Sequence, residues 1–239
     1  MINSKILNYM LPYFEIIEKS KGKTIGEIKN ELKLVKENLK KGSAGLIVEN
    51  LLGIPNNNRD ESDLPEIGCE VKILPISINK NGQVKVKEPT AIQMIDYFSV
   101  ANETWETAKL RKKITLTFWI VYLAKEKGKK LSQDDYIIVD YLLENPNLPT
   151  ISVFQKDWEE IQTYIRNGLA DKLSCSMGVF IEPKTKGANN KDLTDAPDGK
   201  GGKVKVRRRA FYFKKNYTNS EILSKIGLEA IKSKLPPKE

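Results

Sequence analysis

The stretch Asp63-Leu64-Pro65-Glu66-Ile67-Gly68-Cys69-Glu70-Val71-Lys72 restricts the fold more than any other part of the chain. It reads as a turn followed by a β-strand, predicted from Gly68 to Leu74. Side chains two apart on a strand share a face, so Glu70 and Lys72 point one way while Cys69 and Val71 point into the core behind them. Asp63, on the approach to the strand, can bring a second carboxylate to the same spot. Two carboxylates and an ammonium on one face can hold a divalent metal and a water beside it, as phosphodiester hydrolysis requires.

The triplet by itself is cheap. With 31 acidic and 40 basic residues, a chain of this length contains roughly 5 acid-x-base triplets by chance, so taken alone Glu70-Val71-Lys72 reads as a solvated strand face. Its surroundings add weight: an acid upstream at loop distance, a Gly-containing helix before it, and a net charge of +9. That charge is concentrated. Between Glu182 and Asn216 there are eleven Lys/Arg against four acids, an excess of seven. Such a field favours a polyanion, above all nucleic acid, over its other uses as a solubility device or an anionic-membrane contact.

The chain has no histidine, which removes imidazole bases, Ser-His triads, His-metal nuclease sites and zinc fingers. Acid–base work would fall to carboxylates, Lys, Tyr or metal-activated water. Cys69 and Cys175 sit in apolar, strand-like surroundings and read as reduced core residues of an intracellular protein. The start shows no signal-peptide pattern, and the longest apolar-rich run, Ile114 to Ala124, is too short to span a bilayer. A cytoplasmic protein without membrane contact is expected.

Along the chain, a helix is predicted from Lys5 to Lys19, with Ile6, Met10, Tyr13, Ile16 and Ile17 on one stripe. Thr24-Ile25-Gly26-Glu27 has the form of a capping box starting a helix through about Val35. After Lys41-Gly42, Ser43 can cap a third helix that Gly53 ends and on which Glu49 is the lone acid. The polar loop Asn56 to Asp60 delivers Asp63 to the strand, and Asn79-Lys80-Asn81-Gly82 predicts a hairpin returning over Gln83 to Val86. Ala91 to Val100 and Ile114 to Leu123 read as strands or buried segments. Phe154, Trp158, Ile161 and Ile165 mark an amphipathic helix, and Leu173 to Ile181 a strand. Lys184 to Lys203 reads as a long loop, Val204 to Phe213 as one strand, and Thr218 to about Lys232 as a capped helix with a fraying Pro236-Pro237-Lys238-Glu239 end. Trp105, Trp119 and Trp158 are expected in the core, and Arg207-Arg208-Arg209 as a phosphate clamp.

In this order the residues resemble the MutH family of DNA endonucleases, the mismatch-repair nicking enzyme and the type II restriction enzymes related to it. The likeness runs through Lys41-Gly42, Val48-Glu49-Asn50-Leu51-Leu52-Gly53, Asp63, Glu70-Val71-Lys72, Thr104-Trp105-Glu106-Thr107, Arg111-Lys112-Lys113 and Asp157-Trp158-Glu159-Glu160. It continues through Pro183-Lys184, Lys186-Gly187-Ala188-Asn189 and Arg209-Ala210-Phe211-Tyr212-Phe213-Lys214-Lys215-Asn216-Tyr217-Thr218. The resemblance implies a PD-(D/E)xK-type α/β fold, with a mixed sheet flanked by helices and two lobes gripping duplex DNA. Residues 1–150 would form the catalytic lobe and 151–239 the basic recognition lobe of one endonuclease domain.

The resemblance also implies Mg²⁺-dependent cleavage at GATC, leaving 5′-phosphate ends. By match, Asp63, Glu70 and Lys72 take the catalytic positions. Glu49 is the helix-borne acid, read as a metal ligand, a group behind the ligands or a plain helix-surface acid. Lys113 matches a basic residue near the active site. Lys184, Lys186, Asn189, Arg207, Arg208, Arg209, Tyr212 and Lys214 face DNA, Tyr212 either stacking on or reading a base, or simply packing in a strand. At Glu182 the chain departs from the mismatch-repair members, which tend to carry Arg there; a carboxylate cannot make an Arg-type contact to guanine or phosphate but could accept from cytosine N4. The Lys186-Gly187-Ala188-Asn189 block and the Arg209-Ala210-Phe211 run look closer to the restriction relatives. Cleaving both strands of a palindrome implies a homodimer on DNA or sequential nicks by one copy. Nicking of one unmethylated strand, and a non-catalytic DNA-binding module, are the rival readings.

Overall fold

The computed structural model describes residues 2–34, 43–55, 61–126, 129–189, 191–227 and 231. The expected Lys41-Gly42 block, the Asn56–Asp60 loop, Val35 and the Pro236–Glu239 end lie outside them. Contacts divide the chain into two compact units, one of Met1–Glu88, Leu116–Asn145 and Asn219–Glu239, the other of Pro89–Thr115 and Pro146–Thr218. This interleaving differs from the single cut expected near residue 150: the segment 89–115 belongs with the C-terminal half, because its strand pairs there.

The first unit is built on helices α1 (Ser4–Ser20), α2 (Ile25–Glu31) and α3 (Ser43–Leu51), with strands β1 (Glu70–Ile78) and β2 (Val84–Val86). The second contributes β3 (Thr90–Met94), α4 (Tyr97–Asn102) and α5 (Lys109–Ile114) before the chain returns to the first as β4 (Thr117–Glu126), β5 (Lys129–Lys130) and β6 (Ile137–Glu144). β1 and β4 run parallel, while β2, β5 and β6 join antiparallel, which makes a mixed sheet. Residues 117–124 of β4 are all buried, as a central strand covered on both faces requires. That explains the continuous apolar run.

The helices form as their sequences direct. Asn3 caps α1, whose Met10 and Ile17 are fully buried. At α2 the capping box closes in both directions, Thr24 Oγ1 accepting from Glu27 N at 3.1 Å and Glu27 Oε2 from Thr24 N at 2.7 Å. The helix ends at Glu31, earlier than expected. Gly53, at φ +68°, ends α3 in the left-handed conformation that glycine adopts freely. Met10, Ile17, Ile25, Ile28, Ile47, Val48, Phe118 and Ile138 join one core cluster. No helix among the described residues is long and apolar enough to cross a membrane.

In the second unit, α6 (Leu148–Arg166) carries the expected stripe, with Phe154, Trp158, Ile161 and Ile165 buried. It accompanies an antiparallel sheet of β3, β10 (Arg209–Phe213) and β7 (Ile181–Thr185), and a hairpin of β8 (Leu193–Pro197) and β9 (Lys203–Arg207). The three tryptophans are buried, as expected.

Five expectations are corrected here. Residues 173–180 form turns and not a strand, because the N–H groups of Val179, Phe180 and Ile181 go to the Asp157 carboxylate and not to a neighbouring strand. Cys175 in those turns is exposed, whereas Cys69 is fully buried and its thiol is pushed up to about 12 by desolvation. The stretch from Lys184 to Lys203 is in part a hairpin strand, and the single strand expected from Val204 to Phe213 is two strands in different sheets, broken at Arg208. The last expected helix is a short helix Lys215–Tyr217, a π-turn Thr218–Leu223 and a helix Ser224–Ile226. Thr218 Oγ1 donates back to the Lys214 carbonyl instead of capping.

Candidate active site

At the start of β1, the backbone alternation does what the sequence suggests. Glu70 is 3 % exposed and Lys72 Nζ donates to its Oε1 at 2.7 Å, so the two face the same way. The Glu70 N–H goes to Leu116 O beside β4, which sends the Val71 N–H to the opposite edge of the strand. β2 pairs only with residues 76–78, leaving that edge to another partner. Asp63 supplies it: its Oδ2 accepts from Val71 N at 2.8 Å.

A small loop brings Asp63 there. Leu64 and Cys69 exchange both backbone hydrogen bonds, at 2.9 and 3.1 Å, closing Pro65-Glu66-Ile67-Gly68 with Gly68 at φ +62°. The residue just outside the bridge then lies alongside the strand edge. A hollow of about 280 Å³ borders Asp63, lined also by Tyr9, Tyr13, Ile54, Glu61 and Glu66.

Glu49 comes from α3, which approaches β1 where Gly45 meets Ile73; a Cβ on Gly45 would lie 3.5 Å from Ile73 Cδ1. The Glu49 carboxyl is half-buried, and desolvation raises its proton affinity most. The Asp63 charge raises it further, Lys72 lowers it and Glu70 raises it. Glu49 therefore feels all three of the other groups. These four side chains belong to one unit and are brought together by its own packing.

Among the described residues, no three His, Cys, Asp or Glu side chains are drawn tightly enough to hold a metal ion as they stand. The donor chemistry nevertheless suits a hard dication: every acid here offers oxygen, and the Asp63, Glu70 and Lys72 charges all act on Glu49. Lys113 lies in the last turn of α5, in the second unit.

The expected DNA-facing residues separate into two groups. On β7 and β10, direct partners Glu182↔Tyr212 and Lys184↔Ala210 share one face, while Ile181, Pro183, Phe211 and Phe213 are buried. Lys184 and Lys186 hold their ammonium groups 5.4 and 5.9 Å from the Tyr212 ring centroid. Asn189 and Arg207 are exposed, and Arg208 Nε donates to Asp192 Oδ1 at 2.7 Å. The other two turn inward. Arg209 is 9 % exposed and donates to Pro183 O, which removes it from the expected three-arginine clamp. Lys214 Nζ donates to Met177 O and Gly178 O at 3.0 and 2.9 Å, so its charge supports a turn.

Sequence reasoning gave Asp157 no role. Its carboxylate, on a residue 3 % exposed, accepts from Val179 N, Phe180 N and Ile181 N at 2.7, 2.6 and 2.8 Å and so fixes the entry into β7. No local pattern signals this, because donors and acceptor are more than twenty residues apart.

A mixed α/β sheet with an acid–lysine pair at the head of a parallel strand is the setting in which the comparisons with known proteins are read. A family model described as DNA mismatch repair enzyme MutH matches residues 52–157, which include Asp63, Glu70, Lys72 and Lys113. The type II restriction enzyme Sau3AI of Staphylococcus aureus is 34% identical over 200 residues, covering 81% of this chain and 39% of that protein. The DNA mismatch repair protein MutH of Escherichia coli (strain K12) is 30% identical over 202 residues, covering 83% of this chain and 85% of the relative. That of Serratia proteamaculans (strain 568) is 28% identical over 210 residues, covering 87% and 89%. The chain belongs to the MutH family.

Proposed function

We propose that this protein is a Mg²⁺-dependent endodeoxyribonuclease of restriction type that hydrolyses duplex DNA at GATC or a close variant, leaving 5′-phosphate and 3′-hydroxyl ends. The observation that carries the reading is the gathering of Glu49, Asp63, Glu70 and Lys72 at the head of β1. Membership of a family whose relatives are named for mismatch repair and restriction supports it. On this reading the fold is of PD-(D/E)xK type, with Asp63 as the turn acid and Glu70-Val71-Lys72 as the strand triplet.

Asp63 and Glu70, with Glu49 behind or beside them, would hold the metal. When bound, Mg²⁺ would supply Lewis-acid polarisation of the scissile phosphate and a more acidic water. The chain's own part falls to Lys72. Its ammonium, anchored by Glu70, orients the attacking water and offsets charge growing on the pentacoordinate phosphorus. Lys113 would add positive charge near the phosphate, on the strength of the resemblance alone. Lys184, Lys186, Asn189, Arg207, Arg208 and Tyr212 would meet the duplex.

Digestion of plasmids of known sequence, with and without Mg²⁺ and adenine methylation, tests the reading. Mapped ends at GATC with 5′-phosphates, and no cutting in EDTA, are expected; tight binding without metal-dependent cutting would make the protein a binding module instead. The chain spans 39% of the length of the Sau3AI enzyme, and a second reading is supported by the relatives named as DNA mismatch repair proteins. It is a nicking enzyme that needs an activating partner. Cutting of both strands by the purified chain alone would exclude it.

Salt dependence checks the basic surface separately. If six to ten phosphates are neutralised, log K against log salt should fall with a slope of about −5 to −9. A binding constant unchanged from low to moderate salt would remove the segment 182–216 from the interface.

A further inference from the structure

One charge on the basic sheet is unaccounted for. Glu182 is 6 % exposed, yet among the described residues nothing donates a hydrogen bond to its carboxylate and no cation lies within 4.0 Å of it. Lys184, Lys214 and Lys215 are near enough to ease its ionisation, but desolvation outweighs them and raises its proton affinity. Lys214 is committed to two carbonyls, and Lys184 leans over the Tyr212 ring. Neither of its oxygens is sealed from solvent, so water donates to the carboxylate in the free protein; a surface that covers it and expels that water must bring a donor of its own.

Its position says what could. Glu182 pairs with Tyr212 across β7 and β10, on the face of the sheet opposite Ile181, Phe211 and Phe213 and shared with the partly exposed Lys184. What lies beside it is a half-exposed ring and a flexible lysine, groups that can swing aside. A phosphate would be repelled by a carboxylate, and an apolar surface would leave it unsatisfied. The DNA group with the matching chemistry is an exocyclic amino group in the major groove, and β7 is an edge strand of its three-stranded sheet. Cytosine N4 is a pure donor there, whereas adenine pairs its amino group with the N7 acceptor, which a carboxylate would oppose.

We infer that Glu182 is a specificity-determining residue whose carboxylate accepts a hydrogen bond from cytosine N4 when duplex DNA docks on the β7–β10 face. This deepens the endonuclease reading and rests on it for the identity of the ligand. The lysines beside Glu182 move to phosphates as the duplex arrives, and the amino group donates in place of the expelled water.

The test uses the full chain, short duplexes containing the preferred site, and N4-methylcytosine in place of each cytosine in turn. The methyl group takes the major-groove position and deletes the donor while Watson–Crick pairing survives. Metal-free binding and Mg²⁺-dependent cutting are both measured for wild type, Glu182→Met and Glu182→Ala, neither of which variants keeps an oxygen acceptor. Wild type should lose roughly 10- to 100-fold in binding at one methylated cytosine, the scale of a good base contact, while both variants lose less than about 3-fold. The variants should also bind non-cognate duplex at least as tightly as wild type, since a negative charge has left the basic face. A general structural defect would weaken that binding instead.

Equal methylation penalties in wild type and variants would overturn the assignment, as would a penalty that follows adenine N6-methylation and ignores cytosine. Where Glu182→Ala fails to fold, Glu182→Met, similar in length and without an oxygen acceptor, decides. A wild type that binds selectively but never cuts would sink the hydrolytic reading and leave Glu182 to be judged on the binding ratios. Failure to bind any duplex would overturn both.

Discussion

Replacing Lys72 with alanine is expected to lower DNA cleavage by at least 10²- to 10³-fold, the scale of losing one preorganised electrostatic contact to the transition state. Binding of duplex should change little, because the basic surface lies in the other unit, on β7, β9 and β10. The ammonium sits 2.7 Å from Glu70 on a residue that is almost fully buried, so its removal also leaves an acid without its cation. Breaking such a pair costs on the order of 3 kcal/mol, and the assay should run well below the variant's melting temperature. Lys72→Arg would keep the charge but change its reach and should recover only part of the rate. A Lys72→Ala protein that cuts at the wild-type rate would remove Lys72 from the chemistry.

The second large effect is on stability. Asp157→Ala strips the acceptor from three backbone N–H groups, those of Val179, Phe180 and Ile181. Buried donors left unpaired each cost about 1–3 kcal/mol, so a loss on the order of 3–5 kcal/mol is expected after local relaxation. Gly178 in the same turn has φ +68°, and a Cβ there would lie 2.0 Å from Ile181 O, so the backbone has no easy alternative path. Urea unfolding monitored by tryptophan fluorescence measures the loss; a midpoint equal to wild type would show that the turn holds by other means. Because this turn launches β7, Asp157→Asn, which keeps one acceptor, should disturb DNA binding less than alanine does.

Elements with short-range signals were legible. The apolar stripes of α1 and α6, the Thr24 capping box, the turn at Asn79–Gly82 and the alternation at Glu70-Val71-Lys72 each follow from spacing within a few residues. Elements defined by a distant partner were not. β6 carries partly buried residues in a row from Asp140 to Leu143 and so shows no clean alternation; pairing with β4 makes it a strand. At Arg207-Arg208-Arg209 three identical side chains carry no pattern that could mark a break. Arg208 is drawn to Asp192, while Arg209 turns into the core beneath β10.

The same division applies to the site. Local sequence determined that Glu70 and Lys72 would share a face, that positive charge would concentrate near the C-terminal end, and that no imidazole could take part, since residue type and a two-residue period suffice for each. Tertiary structure alone decided that Asp63 would take the Val71 N–H, that Glu49 would arrive on α3 within the fields of the other three groups, and that Lys214 and Arg209 would be spent inside the protein. A period shows which way a side chain points along its own element. Which group it meets there depends on packing between segments tens of residues apart, and that pairing leaves no mark in the neighbouring sequence.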